Sequence, residues 1–193
     1  AGTSGVLAGA GSAVALNLNN TTYAYIDTQA TVDAGNNVRV HAEDRTDSDV
    51  VAGGVGLSTG GAGVGVSLGL ALIAKDTHAW IGEDAVIDAK GTSTSGTFSI
   101  FDGKEDANGN ATTKSIRGVG VSAFSQEDMF ALSVGGAGGL HVGIAGSVSW
   151  HQIDSDTSAK IMDGAQINQA ADNATSAHDE QDVYVTAVNA LHA

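Results

Sequence analysis

The sequence predicts an all-β chain wound as a β-solenoid from repeats of about 55 residues. Three observations predict it. Val64, Val66, Leu68, Leu70 and Leu72 alternate with Gly65, Ser67, Gly69 and Ala71, which is the two-residue period of a strand. One apolar block recurs three times along the chain. The 193 residues include 27 Gly and 31 Ala but no Pro. Gly disfavours helix by about 1 kcal/mol relative to Ala, and the absence of Pro suits strands hydrogen-bonded on both edges.

The repeat is explicit. Thr22, Ala24 and Ile26 recur as Thr77, Ala79 and Ile81 and again as Thr157, Ala159 and Ile161, at offsets of 55 and then 80 residues. The same offsets carry Ala30, Val32 and Ala34 onto Ala85, Ile87 and Ala89, then onto Ala165, Ile167 and Gln169. A small-residue strand precedes each block. An alternating strand follows it, clearest in Val38, Val40 and Ala42 and in Val183, Val185 and Ala187. A shared period over three copies marks a repeat architecture. The chain is therefore one domain, 1–193, with repeats at roughly 5–52, 53–132 and 133–193.

The longer second offset places an insertion between Ala89 and Val121, at about 95–118. There Phe98, Ile100 and Phe101 on one side and Ser115 to Arg117 on the other flank the polar run Asp102 to Asn110. This reads as a hairpin, or as one extra coil with a polar loop. Turns are expected at Asn19-Asn20, Gly35 to Asn37, Gly60-Gly61, Gly82 to Asp84 and Asp163-Gly164. Asn168 to Asp182 reads as a loop with a helical turn. Inward Val, Ile, Leu and Ala are expected to stack from coil to coil. Each repeat would hold two or three coils of about 20–25 residues, about 4.8 Å apart, making a rod on the order of 35–45 Å long. The Gly and Ser face of the long strands has little volume, so another sheet or chain can approach it closely.

Composition excludes several classes. With no Cys there is no disulfide framework and no thiolate zinc site. Eight Lys and Arg against 22 Asp and Glu give a net charge of −14, which repels phosphate, so no nucleic-acid partner is expected. The longest apolar run, Val64 to Ala74, is too short for a transmembrane helix and is broken by Gly65 and Gly69. The Gly-rich strands lack the aromatic girdles and even array of membrane β-hairpins. The chain opens Ala1-Gly2-Thr3, as expected of a mature product or an excised segment.

Chemistry-bearing motifs are sparse. Asp102, Asp106 and Asn108 are the candidate metal ligands. Asp106, Asn108 and Gly109 fit the third, fifth and sixth positions of a calcium loop, but Lys104 stands at the first and no Glu closes it. A solvated loop is the plainer reading. Asp44, Asp47, Asp49, Asp154 and Asp156 are expected in loops at strand ends, as solubilising charge. None of the six His has the spacing of a helical metal pair, and His41 and His78 should face outward. No nucleophile elbow or phosphate loop is present, so no catalytic residue and no resident cofactor is expected. Asn19, Asn20, Asn110 and Asn173 each begin Asn-x-Thr, a surface-glycosylation signal only in an organism that performs it.

The run Thr22 to Ala34, the Gly35-Asn36-Asn37-Val38-Arg39-Val40-His41-Ala42 block and the Gly-rich strand after Gly53 resemble the repeats of large secreted bacterial filamentous adhesins. The leukotoxin-type group, within the filamentous-haemagglutinin-like set, is the nearest. The resemblance covers Gly5 to Ala187, apart from the inserted loop. It implies a right-handed parallel β-helix, secreted and carried on the cell surface, without catalytic residues. The expected function is a structural, adhesive module that stacks on itself end to end or laterally, or contacts a host or neighbouring cell surface. The alternatives are a calcium-responsive binding module and a polysaccharide-active β-helix enzyme. The enzyme would need basic residues and paired carboxylates gathered in one groove.

Overall fold

The computed structural model describes residues 2–4, 6–92, 96–171 and 176–192. The Asn173 signal and the middle of the Asn168–Asp182 connection lie outside them. The described chain is all-β. Its strands are β1 (Gly2–Ser4), β2 (Leu7–Ile26), β3 (Thr31–Ala34), β4 (Val38–Ser58), β5 (Ala62–Ile81), β6 (Val86–Ala89), β7 (Phe98–Glu105), β8 (Ala111–Ile116), β9 (Gly118–Gly138), β10 (Val142–Ile161), β11 (Gln166–Ile167) and β12 (Asp182–His192).

Three parallel sheets form, ordered β1-β4-β9-β12, β10-β5-β2 and β11-β6-β3; β7 and β8 make an antiparallel pair. Register reproduces the sequence repeat. Thr22 lies beside Thr77, and Thr77 beside Thr157. Each repeat therefore supplies one strand to sheet β10-β5-β2 and one to sheet β11-β6-β3. The division of a repeat into two or three short coils is not what forms, because single strands run 20 or 21 residues. Sheet β10-β5-β2 is three strands wide, so its outer strands stand only about 10 Å apart.

The corner after the long strand is also repeated. Gln29, Asp84 and Gly164 have φ of 59°, 54° and 72°, and Ala30, Ala85 and Ala165 each donate a backbone hydrogen bond three residues back. The left-handed conformation strains a residue with a Cβ. Two non-glycine residues tolerate it here because tertiary packing fixes the corner. Asn19 and Asn20 do not form the expected turn. They continue β2, where the Asn20 amide donates to the Asp44 carboxylate.

Two interiors follow one another along the long strands. Near the corner, Ala79, Ile81, Ala85, Ile87, Val119, Val121 and Ala123 are sealed, flanked on either side by their half-buried equivalents such as Ile26 and Ile161. These are the expected aliphatic ladders. Further out the pattern inverts. Gly54, Gly56, Gly63 and Gly65 face inward, while Val64, Val66 and Leu68 face solvent, Val66 at 52 % exposure. The Gly-rich face thus serves an internal stack of two sheets. A Cβ at Gly56 would lie 2.7 Å from the Val64 carbonyl carbon, and one at Gly65 would lie 2.9 Å from that of Gly136. Backbone touches backbone, and no side chain fits between them. The outer faces keep the strand-favouring Val and Leu. The coil-to-coil ladders of inward aliphatics therefore form in the first interior, while the Gly and Ser face of the long strands meets another sheet.

At the boundary between the two lies a buried ion cluster. The Lys75 ammonium, fully buried, is 2.6 Å from Asp44 and 2.9 Å from Glu127, and donates to the Gln126 carbonyl at 3.2 Å. The Ser125 and Ser155 hydroxyls add hydrogen bonds to Glu127 at 2.6 and 3.2 Å. The loop placement expected for the aspartates fails: Asp44, Asp47, Asp49, Asp154 and Asp156 all lie within β4 or β10, and Asp44 is buried. Charge is tolerated inside because the ammonium and the carboxylates pair with one another and with neighbouring hydroxyl and carbonyl groups.

Candidate functional site

The insertion is a hairpin, and it packs back on the sheet. Phe101 of β7 stacks on Phe124 at 4.2 Å, and the Arg45 guanidinium lies 4.7 Å from the centre of the Phe124 ring. Gly120 leaves room for Phe98 and Ile100: a Cβ there would come within 2.8 Å of either side chain. At the tip, Asp106 accepts hydrogen bonds from the Asn108 and Asn110 amides at 2.8 and 2.9 Å, and from the Asn110 side chain. Those bonds, the Asn110 side chain first, hold the Asp106 carboxyl below its ordinary pKa. The Thr112 hydroxyl at 2.6 Å does the same for Asp102. Asn108 supplies a backbone donor to this turn. The three candidate calcium ligands thus organise a tight polar tip.

The group that converges lies elsewhere, on the outer face of β10-β5-β2. Lys75, Thr77 and Ala79 point inward and are buried, so Asp76, His78 and Trp80 point outward. Register sets three rows across the strands: Thr21, Asp76 and Asp156; then Tyr23, His78 and Ser158; then Tyr25, Trp80 and Lys160. Strand spacing puts neighbours in a row about 4.8 Å apart, and alternation puts rows about 7 Å apart. One ligand atom each from Asp76, His78 and Asp156 lie within 4.8 Å of one another. Two carboxylates and an imidazole are a donor set that can hold a divalent cation. The His78 Nδ1 is 2.7 Å from the Ser158 hydroxyl, which fixes the ring.

Aromatic side chains complete the face. Tyr25 and Trp80 stack at 4.8 Å with planes 5° apart; Tyr23 meets Trp80 edge-on at 5.5 Å and His78 at 5.3 Å. Three of the chain's five Tyr and Trp residues gather here. The outward placement of His78 was legible from alternation. The meeting with Asp156 follows from the offset of 80 once that offset acts as the register between strands.

On the opposite sheet His192 lies 2.9 Å from Asp128 and its Nε2 lies 3.2 Å from the Gly109 carbonyl, tying β12 to the hairpin tip. Asp128 raises the His192 pKa. Glu43 is held below its ordinary value: partial burial opposes this, and the hydrogen bonds from His41 and Arg45 together outweigh it. No helix among the described residues is long and apolar enough to cross a membrane. No family model, curated protein or solved structure matches the chain.

Proposed function

We propose that this chain is a structural module of an extracellular adhesin or surface filament: a right-handed β-solenoid with one turn per repeat, stacking on further copies. One observation carries the reading. The strand register equals the sequence repeat offset in the sheet β10-β5-β2 over all 20 residues of each pair. A chain built that way adds length by adding repeats, and each added strand satisfies the open edge of the last. Its action is mechanical. Hydrogen-bonded ladders and close-packed glycine backbone make a stiff body that resists proteolysis, and the outer faces carry the contacts. Electron microscopy of the purified chain over a concentration series tests this. Fibres or uniform short rods support the reading; round particles without a long axis, at all concentrations, overturn it.

A second reading, a cation-responsive binding module, is favoured by the convergence of Asp76, His78 and Asp156. Melting in calcium, in zinc and in chelator tests it, with no shift in either metal counting against it.

A further inference from the structure

The two faces of Trp80 are not alike. Tyr25 covers one, its ring nearly parallel to it. A cavity of about 270 Å³ touches Trp80 but not Tyr25; Tyr23, His78, Ala79, Ser158, Lys160 and Met162 complete it. In register, Lys160 holds the place where a third ring would continue the column Tyr25–Trp80. A flexible, exposed ammonium stands there instead, so the column ends in an open slot with an aromatic wall.

We propose that this slot binds one sugar ring of a cell-surface glycan. The cavity lies just under the roughly 300–1,000 Å³ of sites that take drug-sized ligands, which suits a single six-membered ring. The Trp80 face offers a flat apolar surface to the C–H side of a sugar. Beside the apolar Met162 and the Tyr23 ring, the lining carries a few polar groups: a hydroxyl from Ser158, an imidazole from His78 and an ammonium from Lys160, with the Asp76 and Asp156 carboxylates one row away. Ring hydroxyls both donate and accept, so they can satisfy such a set. A hydrocarbon or an aliphatic side chain would strip water from the Lys160 ammonium and offer it no partner, at about 1–3 kcal/mol, while the Ser158 hydroxyl and His78 Nδ1 stay paired with each other. A nucleic acid is opposed by the net charge of −14. The inference rests on the adhesive-module reading for its setting, while the binding itself rests on the slot.

The test uses the full chain carrying Trp150→Phe, which leaves Trp80 as the sole tryptophan reporter. Methyl glycosides of glucose, galactose, mannose and N-acetylglucosamine are titrated singly, read by Trp fluorescence and by saturation-transfer NMR. At least one should give a saturable response with Kd on the order of 1 mM, the scale of about −4 kcal/mol. Lys160→Tyr fills the slot with a third ring. It should weaken binding at least about tenfold while leaving the melting temperature unchanged or higher, since cross-strand aromatic pairs stabilise sheets. Ser158→Val crowds the slot from the side and should give the same loss, which keeps the test open if the first variant does not fold. Absence of a saturable response to every glycoside overturns the proposal, as does a response that survives in the folded slot-filling variants. Rods or fibres seen together with that failure would leave the module reading standing. Binding without rods would do the reverse.

Discussion

The aliphatic interior and the glycine interior are built from the same strands, yet they obey opposite rules. Around Ile87 and Val121 the space between sheets is filled by side chains, so volume is stabilising. Around Gly56 and Gly65 the space is filled by backbone, so any added volume is disruptive. Close packing is reached in both, by different atoms. The same alternation of large and small residues serves each, with the large set turned in at one end of the strand and out at the other. Between them stands Lys75, whose ammonium is paired with both Asp44 and Glu127.

The sharpest way to break the comparison is at that boundary. Lys75→Ala leaves two buried carboxylates facing each other and should destabilise by about 3–5 kcal/mol, as removal of one partner of a buried ion cluster does. Urea denaturation with a tryptophan readout measures it, and a loss under about 1 kcal/mol would mean that the cluster is hydrated. Next comes the aliphatic side. Ile87→Ala should cost about 2–5 kcal/mol, more than Ile26→Ala, whose site is half open and leaves less of a cavity. Equal losses would show that the outer ladders are covered in solution.

On the glycine side the sign of the volume effect reverses. Gly56→Ala adds one methyl group and should destabilise by about 1–3 kcal/mol. Gly146→Ala, with nothing within 4 Å of its outward position, should be near neutral or slightly stabilising. If both are neutral in thermal melts, the two sheets stand further apart than described. Val66→Thr on the outer face should change stability by no more than about 0.5 kcal/mol in the isolated chain; a larger loss would show that copies cover that face.

The smallest effect lies outside both interiors. Asp128 holds the His192 pKa above its ordinary value. The charged imidazole is favoured in the folded chain, so this contact contributes fully below the unfolded pKa and is lost as pH rises through the raised folded one. In an NMR titration, Asp128→Asn should bring the His192 midpoint down towards the ordinary value. An unchanged midpoint would assign the raised value to the Gly109 carbonyl.

Much of this was legible in the sequence for a physical reason. A two-residue period is a statement about which face a side chain takes, and a repeat offset is a statement about which residues lie side by side. Those two facts determined strands, ladders, the hairpin insertion and the outward turn of His78. Alternation says nothing of which face is inside, because Gly beside Val reads identically whether the glycine meets solvent or another backbone. Nor does an aspartate reveal whether a lysine from the next sheet will reach it. Which face of β5 is buried, and the capture of Lys75 between Asp44 and Glu127, were decided only by the packing of whole sheets. Each depends on contacts between different sheets, for which sequence spacing carries no distance.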